Sequence, residues 1–358
     1  MTAAREPAVS TRIVFNVQVL RAFASVLVVH AHGAGPSGLG LHWVGGTNGV
    51  DLFFVISGFI ISYVAQTDAD GFMRRRLIRI VPIYWMSTLA IYALVLVAPA
   101  MFKTTSSDPG LLVRSLLFVP DPHSLHPDGL LHPTLAGGWT LNYEMFFYVL
   151  FWIGLMVSRR WAGAIATAML GGTVALAQLT SLRDNPLWSF YGSTIVLEFV
   201  LGIVAFHVVR LLGERFQAKP PPAVAKYMLF AGVALGCIAL AFNSELFGVG
   251  GERWIQSGLP ALLVLLCALL LERLYAARIT NKVALAIGDA SYVLYLLHAY
   301  IVYGVTRLFV HRAFSEFPGQ LIVLVLIAIS VAISVAVYRF VEQPVLRLLK
   351  RMLLPSKR

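Results

Sequence analysis

The sequence predicts an all-α protein: a polytopic integral membrane bundle of about ten transmembrane helices with both termini in the cytoplasm. Three observations carry this reading. Hydrophobic residues fill 58% of the 358 positions and charged residues 13%, at a mean hydropathy of +0.79, whereas soluble chains carry about 25% charged residues. Apolar runs of membrane-spanning length recur along the whole chain and leave no room for a sizeable soluble domain, so residues 1–358 read as one integral domain. Basic residues fall unevenly between alternate loops, and that asymmetry sets the orientation.

The expected spans centre on residues 14–32, 47–64, 80–98, 139–158, 161–180, 188–209, 226–242, 256–273, 289–310 and 319–341. The first contains Arg21, shows no small-residue cleavage site and is followed by further spans, so it reads as a retained helix rather than a signal peptide. An even number of spans puts Arg5, Arg12, Arg74, Arg75, Arg76, Arg79, Arg159, Arg160, Arg210, Arg215, Lys219, Lys226, Arg273, Arg278, Lys282 and a basic tail at 345–358 inside. Only Lys103, Arg114, Arg183, Arg253 and Arg312 remain outside. The formal charge of +11 therefore belongs to the positive-inside pattern of a protein in a lipid bilayer, not to nucleic-acid binding, and no Gly-rich phosphate loop is present. The longest connection, about 99–138, lies outside and is rich in Pro, Asp and His. Its His123, His126 and His132 match no standard ligand spacing, so no metal is expected. The prolines at 220–222 read as a stiff spacer between the sixth and seventh spans. Cys237 and Cys267 fall inside apolar runs and suggest neither a disulfide nor a metal site.

Against this background a few polar residues stand out. GVDLFFVISGF places Asp51 where the second helix enters lipid, and a carboxylate there costs roughly 2.5 kcal/mol or more without a partner. Asp51 fits two readings, a helix-terminal acceptor and a functional acid. In the first span Arg21 and His32 are eleven residues apart, almost three turns, so they share one face about 16 Å apart; a snorkelling arginine and an interfacial histidine fit the same spacing. His30 faces away from His32. Asp51 is expected at the depth of His32, where a carboxylate would orient an imidazole acting as general base. Ser57 lacks the glycine of a nucleophile elbow and reads as a small packing residue.

Arg76 and Arg79, i and i+3 in FMRRRLIRIVPIYW, suit a phosphate clamp, and they also satisfy the positive-inside rule. GGWTLNYEMFFY puts Glu144 and Tyr148 on one face at i and i+4 toward the outer leaflet, with Trp139 as an interfacial anchor or a platform for a sugar ring. Glu198 falls within the sixth span. Ser291, Tyr295 and His298 form an i, i+4, i+7 stripe, either a site wall or a polar seam. Near the end of the last span, Arg339 and Glu342 are spaced to pair and Pro344 to end the helix.

Taken in order, LRAFASVLVVHAH, GVDLFFVISGFI, RRLIRIVPIYW, GWTLNYEMFFY, LEFVLGI, SYVLYLLHAY and YRFVEQP resemble membrane-bound acyltransferase family 3 over nearly the whole chain, especially members that O-acylate exopolysaccharide, lipopolysaccharide or Nod-factor sugars. The resemblance puts the family's first-helix pair on Arg21 and His32, its arginine pair on Arg76 and Arg79, and its WTL-motif acid on Glu144. Where many members have Asp three residues before the first-helix arginine, this chain has Gln18. The resemblance implies acetyl-CoA or another acyl-CoA as donor, a glycan or lipid-linked saccharide as acceptor, and a place in the bacterial cytoplasmic membrane. On that expectation His32, supported by Asp51 and with Glu144 nearby, deprotonates the acceptor, either directly or through an acyl-histidine. Arg21, Arg76 and Arg79 hold the donor, while Trp139, Tyr148, Tyr295 and His298 face substrate. A transporter or glycan exporter lined by the same polar residues is the alternative.

Overall fold

Apolar segments in lipid must satisfy their backbone polar groups internally, and they do so as helices. The computed structural model describes residues 14–34, 48–67, 69–102, 105–124, 131–217, 221–247, 251–307 and 318–354, and no strand occurs among them. Arg5, Arg12, Lys103, His126, Lys219, Pro220, Arg312 and the last residues of the basic tail lie outside the described residues. The helices are α1 (Phe15–Ala34), α2 (Gly49–Thr67), α3 (Phe72–Val97), α4 (Pro109–Leu116), α5 (Trp139–Val157), α6 (Ala162–Leu179), α7 (Pro186–Tyr191), α8 (Leu197–Arg215), α9 (Ala223–Ala241), α10 (Asn243–Phe247), α11 (Leu259–Tyr275), α12 (Lys282–Asp289), α13 (Ser291–Val305), α14 (Gly319–Val337) and α15 (Gln343–Leu353). Among the described residues nine helical stretches are long and apolar enough to cross a membrane, or ten if α12 and α13, bent by 75°, form one span. The polytopic all-α membrane bundle expected from the sequence is therefore what the chain forms.

Several boundaries differ for identifiable reasons. The third span starts at Phe72 rather than near residue 80, because the arginine run is itself helical and follows Gly71 in the left-handed region at φ 68°. Pro344 does not end the last span. It occupies the first turn of α15, where its missing N–H is harmless, and the helix continues to Leu353. A π-helical turn at Tyr338–Glu342 joins α14 to α15 and turns Glu342 fully into the bundle, leaving Arg339 exposed.

Close helix contact sets the positions of the site-bearing spans. α2 packs chiefly on α8, and a Cβ at Gly58 or Gly202 would run into the backbone of the other helix, at Phe199 and Val55 respectively. Small residues at such a crossing allow van der Waals contact that lipid alone does not drive. Phe199 then stacks on Phe147 at 4.5 Å and meets Phe54 at 4.7 Å, tying α8 to α5 and α2. At the bend before α13, Gly288 lies against the Gln18 carbonyl of α1 with no space for a side chain, so α12 and α1 are held together.

Candidate active site

Helices α1, α2, α3, α5 and α13 enclose a cavity of about 370 Å³. Arg76, Arg79 and Arg21 line it toward the end where α3 begins. Thr140 and Tyr295 line it toward the end where α5 begins, with Ser57, Glu144 and Tyr148 between.

At the basic end each arginine has a defined setting. Arg21 donates from Nη1 to Gln18 Oε1 at 3.2 Å, and Gln18 donates from Nε2 to Asp289 Oδ1 at 2.6 Å. The acid absent from position 18 is thus supplied across the helix interface by Asp289, through the glutamine. Arg79 forms an ion pair with Glu342 and lies over the Tyr292 ring at 5.6 Å. The expected Arg339–Glu342 pairing is therefore corrected: the π-turn directs Glu342 to Arg79 instead. Arg76 lies over Phe72 at 5.9 Å, and its buried Nε has no hydrogen-bond partner.

In the middle, Glu144 accepts from the Tyr148 hydroxyl one turn on, as the spacing predicted, and from Ser57 Oγ at 3.1 Å. At the far end Thr140 donates to the Tyr295 hydroxyl at 2.8 Å, and that hydroxyl donates to the Gly137 carbonyl at 3.1 Å. Tyr295 is thereby fastened across the end of the cavity. One turn farther along α13 is His298, whose ring meets that of His32 at 4.6 Å.

The expected His32–Asp51 partnership does not form. Asp51 is wholly buried and accepts from Arg253 Nε at 2.7 Å and Nη2 at 2.9 Å, while His32 has its Nδ1 against the Val28 carbonyl at 2.9 Å. A bidentate guanidinium occupies both oxygens of Asp51 and gives it a partner that the helix spacing alone does not reveal. Glu198, also wholly buried, joins this cluster beside Asp51, and Arg253 lies over Trp139 at 6.0 Å. At the same end, Asp121 accepts from Arg114 at 2.6 Å and from His123. Burial disfavours its charge, but the His123 hydrogen bonds and the Arg114 guanidinium outweigh that and hold the carboxyl below its ordinary value.

This arrangement fits the comparisons with known proteins. The profile of the acyltransferase domain matches residues 14–339. The chain belongs to acyltransferase family 3. It is 31% identical over 321 residues to the exopolysaccharide production protein ExoZ of Rhizobium meliloti (strain 1021), covering 86% of this chain and 92% of that protein. It is 26% identical over 374 residues to the O-acetyltransferase OatA of Staphylococcus aureus (strain NCTC 8325 / PS 47), covering 94% of this chain but 58% of that longer protein. Nodulation protein 10 of Rhizobium leguminosarum bv. viciae is 27% identical over 237 residues, covering 57% of this chain and 62% of that protein. No solved structure matches the chain. As a family 3 acyltransferase, it is a multi-pass membrane transferase of acyl groups.

Within this acyltransferase, Arg21, Arg76, Arg79, Glu144, Tyr148 and Tyr295 share one cavity. His32 and His298 meet beyond it, while Asp51 and Trp139 gather at Arg253. No group of three or more His, Cys, Asp or Glu side chains among the described residues has a metal-binding arrangement. The sequence reading missed Arg253, Asp289 and Glu342 as parts of these networks. One signal was available: Arg253 is among the few basic residues on the sparsely charged side, so an inward acid there needed it.

Proposed function

We propose that the chain transfers an acyl group, acetyl in the simplest case, from cytoplasmic acyl-CoA to a hydroxyl of an exported or envelope glycan, working as one integral unit in a bacterial cytoplasmic membrane. The observation that carries this reading is the single cavity leading from Arg76 and Arg79 past Glu144 to Tyr295, with His32 beyond. Guanidinium groups at one end suit the phosphates of the nucleotide. The acyl-pantetheine arm then extends along the cavity, so donor and acceptor meet without the nucleotide crossing the bilayer.

His32 is the proposed base. The Val28 carbonyl can only accept, so His32 Nδ1 carries the proton and Nε2 keeps its lone pair for the acceptor hydroxyl. The acceptor oxygen attacks the thioester carbon, the C–S bond breaks, and the proton held on His32 passes to the departing sulfur. Glu144, fixed by Ser57 and Tyr148, lines the path of the arm, and Trp139 offers an aromatic surface to the sugar.

The test is transfer of radiolabel from acetyl-CoA to glycan by purified protein in sealed vesicles. Wild-type protein is expected to label the glycan, and His32→Ala at equal abundance to lose at least about 100-fold of the rate, within the usual contribution of general-base catalysis. Undiminished labelling by His32→Ala removes the assignment, and glycan export without labelling by the wild type removes acyl transfer altogether.

A further inference from the structure

His32 lacks the carboxylate partner that a general base commonly has; what faces it is a second imidazole. The His32 and His298 rings lie 4.6 Å apart with their planes at 79°, an edge-to-face contact. His298 is only 3% exposed, which leaves little surface for a glycan to touch.

Both rings have the same nitrogen committed. His32 Nδ1 lies 2.9 Å from the Val28 carbonyl oxygen, and His298 Nδ1 lies 2.6 Å from the Tyr295 carbonyl oxygen. Carbonyl oxygens only accept, so each Nδ1 carries the hydrogen and each Nε2 has a free lone pair. The Nε2 of His298 is buried with no hydrogen-bond partner. Leaving a buried acceptor unpaired is costly, and an apolar residue in a mere packing seam would not incur that cost.

The other groups around the pair explain the need. Tyr295 approaches His298 with a ring distance of 5.8 Å, and His132 is the further titratable group acting on His32. Asp51 is bound by Arg253 on both oxygens, and among the described residues no carboxylate hydrogen-bonds either ring. When His32 becomes an imidazolium during transfer, the ring in contact with it is His298. A neutral imidazole that carries an unshared Nε2 lone pair attracts a cationic ring beside it, whereas two charged rings at that distance repel.

We infer that His298 is a positioning residue for acyl transfer: its neutral ring orients His32 by packing against it, and its Nε2, unpaired while His32 is neutral, is the acceptor that stabilises the protonated form, the task expected of Asp51. This rests on His32 acting as the base. The acceptor O–H bond breaks and its proton goes to His32 Nε2, a C–O bond forms at the acyl carbon, and the C–S electron pair leaves on sulfur, which then takes the proton from His32. His298 gains and loses no proton.

The experiment measures kcat and the KM for acetyl-CoA between pH 5.5 and 9 for wild type, His298→Phe and His298→Gln in vesicles, with His32→Ala alongside. Phe keeps a ring but has no lone pair, whereas Gln keeps an acceptor. For Phe, kcat is expected to fall about 10–100-fold with KM within about 2-fold. The acid limb of its kcat profile is expected to move to lower pH, since a base whose protonated form is less stabilised loses its proton more readily. Gln is expected to recover most of both changes. Unchanged kcat and limb in both variants, or equal losses in both without a shift of the limb, overturn the inference while an inactive His32→Ala leaves the base in place. Full activity in His32→Ala overturns the base itself. If the Phe variant fails to assemble, Gln decides the matter: a large loss of kcat in a folded Gln variant, with the acid limb unmoved, also overturns the inference.

Discussion

Arg253 grips Asp51 with two parallel hydrogen bonds, from Nε at 2.7 Å and Nη2 at 2.9 Å, and so joins the segment before α11 to the start of α2. Asp51 is 0% exposed and the Arg253 side chain 35%. Removing one partner of a fully buried pair costs about 3–5 kcal/mol, and the half-open arginine brings the expected cost to about 2–3 kcal/mol. Arg253→Ala is therefore expected to lower the melting temperature of the detergent-solubilised protein clearly, and Arg253→Lys by less but measurably, because an ammonium cannot reproduce the fork. Fluorescence-detected size exclusion after heating reads both. Wild-type stability for Arg253→Ala would show that the pair holds nothing together.

Arg79 is shared between the cavity and Glu342, and that sharing has a sign. On the proposed function, an acyl-CoA phosphate that binds Arg79 competes with a buried carboxylate already there. Glu342→Gln is expected to tighten acyl-CoA binding by about 3–10-fold, equivalent to roughly 0.7–1.4 kcal/mol, and the double variant Arg76→Ala with Arg79→Ala to weaken it by at least 10-fold. Equilibrium binding of acetyl-CoA to purified protein measures both. Unchanged affinity in the double variant removes the arginines from donor binding.

Gly58 and Gly202 face each other where α2 crosses α8, and neither has space for a methyl group. Gly202→Ala is expected to force the two helices apart and cost about 1–3 kcal/mol, as overpacking does. The double variant with Gly58→Ala should lose less than the sum of the singles, because the first separation already makes room for the second. Thermal inactivation of the three variants, compared at equal abundance, tests this.

Asp121 gives a pH prediction outside the membrane. Its folded-state carboxyl is held below its ordinary value, with His123 and Arg114 overcoming the opposing effect of burial. Its stabilisation is therefore fully present above the ordinary value, near pH 4, and is lost as pH falls through the lower folded value. Hydrogen exchange across residues 108–124 is expected to be faster in Asp121→Asn than in wild type at pH 7, with the difference closing under acid. A gap that persists at low pH would mean that the variant acts through shape rather than charge.

Much of this protein was legible in one dimension. Hydropathy located the spans, since any apolar stretch in lipid must become a helix, and the 3.6-residue period placed Glu144 with Tyr148 and Tyr295 one turn from His298. Those are relations within a single helix, and they need no knowledge of its neighbours. The π-turn that carries Glu342 inward lets the last helix run on past Pro344, and the bend at Ala290 sets α12 ahead of the expected ninth span; neither follows from a simple period.

Hydropathy and helical period specify a polytopic bundle and assign its unusual polar residues to helix faces. Which charge meets which depends on how the helices pack. Asp51 went to Arg253, Arg79 to Glu342, Gln18 to Asp289 and His32 to His298. Each of these contacts joins segments more than 200 residues apart, so it depends on how helices rotate and cross. That is set by small-residue contacts such as Gly58 with Gly202 and Gly288 with Gln18, where backbone approaches backbone and no local period records which helix will be the neighbour.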